Sequence, residues 1–571
     1  MAETRVQGDA KRGEVEIAAI GAELFAFWSR TDVLAASMLG RTPERIGAPL
    51  QADSDETAAM ASSWLHRLDG VDPITLPRPA DLTRRYLRFE LEKLVEADQL
   101  HRFDLQITPY RIGMILADVH RFAESFCFEA TTDLDRYDLL VHQYRAFLTG
   151  TIQNLREQVS MGIIVPRAAL AGCLDAIKGL SVSFDRYLRV APERLMRVRE
   201  ELRERFAASV ERQIEGIRER FAGLCAYVEG ECMPRAPETC GLAQYRGGDQ
   251  AYATLIRHHT SLELSADEVY RCGVNLVEEI EAEMSALRAR LGFDGSGQEF
   301  VQRLAREPRF LCKTPEAVDA LYARLMKRCE DVLPKAFGTR SFPRYGLRRL
   351  PMESAGGMTF GYYQPPVPGS GEIGCYVYNA SNLDQRPMMG AASLIYHELV
   401  PGHHLHLATE MGDASRPWVR RFPTITAFNE GWAEYAADLG FELGLYEDPY
   451  DRYGRYLLRV FMASRLVVDS GINALGWTLD EGREYLREHT ALSLTEIETE
   501  LARYGSGMPG QALAYALGRE HFWLARRAAE KRLGSQFDLP TFHSAILDAG
   551  SLPLTDLGVS IACWADTMGS Q

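Results

Sequence analysis

A mainly α-helical fold in two lobes, with a small β-sheet late in the chain, is what this sequence predicts, and three observations predict it. The chain is 571 residues long, beyond the size at which one hydrophobic core keeps growing, so two lobes are expected. Apolar residues recur at helical spacing through most of residues 1–240 and again over 264–292. Between 340 and 380 the texture changes, and Gly, Pro, Tyr and Phe become frequent, as in Gly356-Gly357, Gly361-Tyr362-Tyr363 and Pro365-Pro366.

Taken in order, the N-terminus Met1-Ala2-Glu3-Thr4-Arg5 is polar and shows no basic segment followed by a long apolar run, so neither signal peptide nor lipid anchor is expected. From Asp135 to Val159, Leu139, Leu140, Tyr144, Leu148, Ile152 and Leu155 fall near three- and four-residue spacing, which predicts a helix. Pro192 is placed as a first-turn proline for a helix over 193–222, with Leu195, Val198, Leu202 and Phe206 as its inner stripe. The mixed charges from Arg197 to Arg205 read as a solvated face. A break at Met233-Pro234-Arg235-Ala236-Pro237 sets a lobe boundary near 240, giving an N-terminal helical lobe over 1–240 and a second lobe over 241–571. Ser265, three residues before Glu268, predicts a capping box. Gly374-Cys375-Tyr376-Val377-Tyr378 reads as a strand ending at Asn379, an edge strand beside the candidate site, where Asn379 is a candidate substrate contact.

Hydrophobic residues make up 46% of the chain and charged ones 25%, a globular composition. A net charge of −15 argues against nucleic acid or an anionic membrane as partner. No apolar run is long enough to span a bilayer. The ten cysteines are scattered without a C-x-x-C pair, as expected of reduced thiols in a cytoplasmic protein.

The chemistry concentrates in Tyr396-His397-Glu398-Leu399-Val400-Pro401-Gly402-His403-His404-Leu405-His406. Neutral imidazoles are the commonest zinc ligands, and a glutamate beside the first one is the usual base towards a water activated by the metal. The usual spacing is H-E-x-x-H on one helix. Here the next histidine is at i+6 or i+7. On an ideal helix His403 points about 240° round from His397, and His404 lies roughly 10.5 Å along the axis. Two ligands of one zinc cannot be so far apart, so the turn must be distorted. Pro401 supplies the cause by removing an N–H and clashing with the carbonyl of residue 397. His403 is therefore favoured as ligand over His404, which is expected to point away and donate to a carboxylate. Downstream, Glu430 opens a helical pattern of Trp432, Tyr435, Ala436 and Leu439, and completes a His₂Glu set for one zinc ion. Glu434, one turn on, is a candidate to orient a ligand histidine.

Near the end, Arg503-Tyr504-Gly505-Ser506-Gly507-Met508-Pro509-Gly510 reads as a glycine-rich loop before a helix opening at Gln511. Gln511 and Tyr515, four apart, would share a face. Tyr515, or else Tyr504, is a candidate oxyanion donor, Arg503 a candidate partner for a substrate carboxylate, and Gln511 a candidate substrate contact.

These segments together resemble the bacterial domain-of-unknown-function 885 family of predicted zinc hydrolases. The resemblance rests on H-E-x-x-P-G-H-H at 397–404, E-G-W-A at 430–433, Arg465-Leu466-Val467-Val468-Asp469 followed by Gly476-Trp477-Thr478, and Arg503-Tyr504 followed by Pro509-Gly510-Gln511-Ala512 and Tyr515. It implies a mainly helical metallopeptidase-like fold with a glutamate as third ligand. Gly-His-x-Leu-His surrounds the second ligand in several similar families, which agrees with His403. Where the family pattern commonly has a histidine after Asp-x-Gly-Ile, this chain has Asn473. The expected activity is hydrolysis of an amide bond in a short peptide, carboxypeptidase- or dipeptidase-like, with Glu398 as base. The alternatives are an amidase or esterase for a non-peptide metabolite, and a non-catalytic helical scaffold.

Overall fold

The computed structural model describes residues 2–47, 51–109, 111–350, 361–366 and 371–569; the Gly356-Gly357 pair lies outside them. The fold is mainly helical, with one three-stranded sheet among the described residues. It divides into two compact units. The first comprises Met1–Leu76, Glu90–Tyr252 and Leu501–Pro509, and the second Pro77–Phe89, Ala253–Glu500 and Gly510–Gln571. The boundary nearest the expected break at 240 thus falls at Tyr252, and the chain passes between the units elsewhere as well.

In the first unit, helix Thr132–Ser160 packs on Glu200–Tyr227, and Arg111–Ser125 on Arg167–Leu188. The first of these covers the expected 135–159 stripe. The helix expected from 193 begins only at Glu200: Pro192 opens a short 3₁₀ turn, Pro192–Leu195. Arg203 then donates to the Val198 carbonyl at 2.5 Å and to the Met196 carbonyl at 2.9 Å. Leu195 and Val198 are still buried, so the apolar stripe is real although the backbone beneath it is not one helix.

In the second unit, Ser265 and Glu268 form both halves of the expected capping box and start helix Ala266–Arg290. That helix packs along Pro449–Ala474, and Val277, Ile280, Met284, Tyr453, Val460 and Ala463 form a buried cluster between them. Asp448 caps the second of these helices by accepting from Tyr450 N at 2.8 Å, with Pro449 in its first turn. Among the described residues no helix is long and apolar enough to cross a membrane.

The sheet is built from β1 (Tyr345–Arg349), β2 (Gly361–Gln364) and β3 (Gly374–Tyr378) in the order β1-β3-β2. β3 runs parallel to β1, with Tyr345 opposite Gly374, and antiparallel to β2, with Tyr363 opposite Tyr376. The expectation of β3 as an edge strand is therefore corrected: it is the central strand. All five of its residues are buried, the mark of a strand covered on both faces, and the edge position beside the candidate site belongs to β2.

Candidate metal centre

Helix Ala391–Glu398 ends on the two residues that matter, with His397 and Glu398 in its last turn. At Leu399 the backbone leaves the helix, with φ −105° and ψ −111°. The chain turns through Val400-Pro401-Gly402 and coils again as a π-helical turn over His404–Ala408, which His403 precedes. The Leu399 carbonyl accepts from His404 N at 3.0 Å, a five-residue reach. A Cβ on Gly402 would sit 1.9 Å from the His397 carbonyl oxygen, so only glycine permits this close return. The expected distortion at Pro401 thus takes the form of a broken and restarted helix. Trp432 fastens the turn by donating Nε1–H to the Pro401 carbonyl at 3.0 Å.

Glu430 comes from helix Thr426–Asp438. This helix lies close against Leu513–Leu533 because Gly431 faces Gly518, where a Cβ would meet backbone at 2.6 Å. Glu430 Oε2 lies 3.2 Å from His403 Nε2 and 3.6 Å from His397 Nε2. The rings of the two histidines stand nearly perpendicular with centroids 4.7 Å apart.

Donor atoms about 2.0–2.2 Å from a tetrahedral zinc lie about 3.3–3.6 Å from one another. One donor atom from each of His397, His403 and Glu430 falls within 4.8 Å of the other two, so a small contraction makes a ligand set. Glu430 Oε2 is buried and, despite the two nearby nitrogens, makes no hydrogen bond of good geometry. The donor set and this orphaned oxygen fit a zinc ion.

The electrostatics agree. Burial pushes the His397 imidazole towards the neutral form, but Glu430 and Glu434 outweigh it and hold the group at about 10. Burial likewise opposes ionisation of Glu430, yet the charges of His403 and His397 keep its carboxyl well below the usual range. Carboxylates crowd the two imidazoles, and each kind of group favours the charged form of the other. Glu398 is buried beside the ligands, and burial raises its carboxyl above the usual value against the pull of His397 and His403. The backbone N–H of Tyr363, on β2, is hydrogen-bonded to it.

Glu434 Oε1 lies 2.9 Å from His397 Nδ1, close enough for an ion pair although the angle is not that of a straight hydrogen bond. Contact at Nδ1 directs Nε2 of the same ring towards Glu430. Glu434 is in turn held by the fully buried Arg455 at 2.8 Å, which also binds Asp438 at 2.7 Å and Ser393 Oγ at 3.1 Å. The Tyr515 ring is stacked on His397, 6.2 Å between centroids and 12° from parallel, and the Arg465 guanidinium covers the Tyr515 ring at 4.7 Å.

Other expected residues are placed differently. Among the described residues His404 reaches no carboxylate: its Nε2 donates to the Pro343 carbonyl at 2.8 Å, and its Nδ1 is 3.0 Å from Tyr363 Oη. Burial pushes this imidazole down to about 4, so it stays neutral. Asn379 accepts from Ser381 N at 2.9 Å and closes the turn after β3. Arg503–Gly507 is a π-helical turn rather than a loop; Arg503 and Tyr504 on it are buried and belong to the first unit. Gln511 precedes the helix, which starts at Leu513, so it does not share a helical face with Tyr515. Asn473 is buried and donates to the Asp469 carbonyl at 3.0 Å, while Asp469 accepts from Gly510 N at 3.0 Å. All ten cysteines are free.

Sequence reasoning missed Tyr363 and Arg455. The aromatic run at 361–363 could have flagged the first. Nothing local marks an arginine amid the charged pattern of a helix start as fully buried.

Comparison with curated proteins finds no match. Among solved structures, a candidate lipoprotein from Colwellia psychrerythraea superposes with a TM-score of 0.86 at 21% identity, covering 97% of this chain and 99% of that one. A candidate lipoprotein of unknown function from Shewanella oneidensis gives 0.72 at 14% identity, with 96% and 99% coverage. These likenesses establish the fold, and the sequence itself places the family. The chain belongs to DUF885, a family of bacterial proteins of unknown function whose profile matches residues 34–561.

Proposed function

We propose that this protein is a zinc-dependent hydrolase that cleaves an amide bond in a short peptide or peptide-like substrate. The observation that carries the reading is the convergence of His397, His403 and Glu430 next to a buried Glu398. A zinc ion held by those three would polarise a carbonyl and lower the pKa of water. Glu398 has the place and the raised proton affinity to take a proton from the attacking water on a carboxylate oxygen and hand it to the leaving nitrogen. Tyr363 N–H fixes that carboxylate, and Glu434, backed by Arg455, fixes His397. Tyr515, stacked on His397, is the candidate donor to the oxygen that becomes negative in the tetrahedral intermediate.

Support for a peptide comes from β2. It ends the strand order, and its Tyr363 N–H is directed at Glu398, so an extended main chain laid along that edge would pass the base.

The test is metal analysis of the purified protein, followed by turnover of a short-peptide library against simple amides and esters. The expected result is one zinc per chain, with peptide hydrolysis that chelation abolishes and zinc restores. Protein that holds no zinc and gains no hydrolysis on zinc addition would overturn the proposal.

A further inference from the structure

A second polar cluster lies behind the π-helical turn that follows His403. His406 Nε2 is 2.7 Å from Glu410 Oε2 and 3.2 Å from Ser551 Oγ. Ser551 donates its hydroxyl to the same Glu410 oxygen at 2.7 Å, and its N–H lies 3.1 and 3.2 Å from the two carboxylate oxygens. Its Oγ is also 3.4 Å from Oδ1 of Asn429, the residue before Glu430. His406, Glu410 and Ser551 are exposed by 1%, 2% and 0%. Arg420, from the segment that follows the turn, donates to the carbonyls of Ala549 at 2.8 Å and Ser551 at 3.1 Å.

Serine, histidine and a carboxylate in contact suggest a nucleophilic triad, but the connectivity is wrong for one. In a triad the serine donates to the imidazole and the imidazole to the carboxylate. Here serine and imidazole both donate to the carboxylate, and water cannot reach the hydroxyl. The cluster is built to hold.

What needs holding is the π turn. A π-helical turn is rare and is found mostly as a single turn at a functional site. Relaxation to α-helix would change the number of residues per turn and swing His403 away from Glu430. His406 lies inside this turn and anchors it to a segment 145 residues later in the chain. That segment also touches the start of the Glu430 helix.

We propose that His406, Glu410 and Ser551 are positioning residues for the second metal ligand: they lock the 404–408 turn in register and thereby set the affinity of the site for zinc. This rests on the zinc reading above. Ser551→Ala removes one hydroxyl and keeps the His406–Glu410 contact; Glu410→Gln weakens the whole cluster. Zinc dissociation constants, measured by competition with a chromogenic chelator, are expected to rise about tenfold in Ser551→Ala and towards 100-fold in Glu410→Gln. The visible spectrum of the cobalt-substituted variants should shift with the ligand geometry, and Ser551→Thr should restore both readouts. Thr490→Val, which removes a buried hydroxyl bonded to the Leu486 carbonyl and to Leu492 N–H at the end of another helix of the unit, serves as the control that lowers the melting temperature alone. Variants that bind zinc as tightly as wild type, with an unchanged cobalt spectrum, overturn this inference whatever their melting temperatures, and leave the zinc reading standing. Wild-type protein that holds no zinc and takes up none when it is added overturns both.

Discussion

Two buried histidines, one in each unit, show what decides the state of an imidazole removed from water. In the first unit His120 stacks on Tyr187 at 4.2 Å, within 5° of parallel, and its Nε2 lies 3.1 Å from Tyr144 Oη. Nearby, Tyr137, Tyr144, Phe184 and Phe221 are buried. Burial, helped by the charge of Arg186, pushes His120 down to about 4. In the second unit His397 is as buried, but Glu430 and Glu434 face it and reverse the sign. Burial alone makes a neutral, structural imidazole; paired carboxylates make a place for a cation. Charges buried as those around His397 are rarely retained for stability, since apolar replacements usually do as well.

The comparison breaks first at Glu398. If the charged cluster is chemical, Glu398→Gln should keep its zinc and lose about two to four orders of magnitude in kcat, the range of a general base. Metal content and peptide turnover measured on the same sample decide it. Near-normal turnover would reduce the cluster to structure.

Next is Arg455, whose guanidinium compensates Glu434 and Asp438 with no exposure to solvent. Arg455→Met leaves the buried Glu434 without its arginine and Asp438 with Arg519 alone, so a loss of up to about 3–5 kcal/mol is expected, read by urea unfolding. Burial opposes ionisation of Asp438, and Arg455 with Arg519 overcomes it. A small loss would mean that Arg519 suffices alone.

The first unit offers the converse. The unfolded His120 imidazole gains its proton near pH 6.5, whereas the folded one refuses it until about 4. Its contribution is therefore fully present above pH 6.5 and disappears as the pH falls towards 4, a difference of about 3 kcal/mol. Burial raises the carboxyl of Asp118, in the same helix, to about 6, which favours the fold as the pH falls; hydrogen-exchange protection in helix Arg111–Ser125, corrected for intrinsic rates, should therefore respond to acid less favourably in wild type than in His120→Phe. An equal response in both would show that other groups carry the acid sensitivity.

The candidate ligands were legible in the sequence because they are chemically conspicuous and lie within two short segments. His397, Glu398 and His403 are read from a motif, and Glu430 from its place before a helical stripe. The helical texture was equally open, down to the capping box at Ser265. What remained hidden depends on contacts far apart in sequence. β3 reads as an edge only until β1 and β2 are known to flank it. Arg455 looks like any solvated arginine until Glu434 and Asp438 close on it. Arg503 and Tyr504 carry a strong motif, yet a motif does not say to which unit its residues belong.

The smallest effect is expected at His404, which tests whether one position in sequence can separate the two kinds of histidine. His403 and His404 are both buried, and only the first turns its Nε2 to Glu430. His404 resembles His120: its partners are a hydroxyl and a carbonyl, and it is neutral. His403→Ala should abolish zinc binding. His404→Ala should keep the ion and weaken its affinity by about tenfold, the low end for a residue that supports a ligand without touching the metal. The loss would act through Tyr363, which packs its ring 6.3 Å from that of His403 and binds Glu398 through its N–H. Tyr363→Phe removes only the hydroxyl that faces His404, and should reproduce a part of the His404→Ala effect. If His404→Ala instead strips the zinc while His403→Ala keeps it, the ligand is the other histidine, and the restarted helix after Gly402 sets a different register in solution.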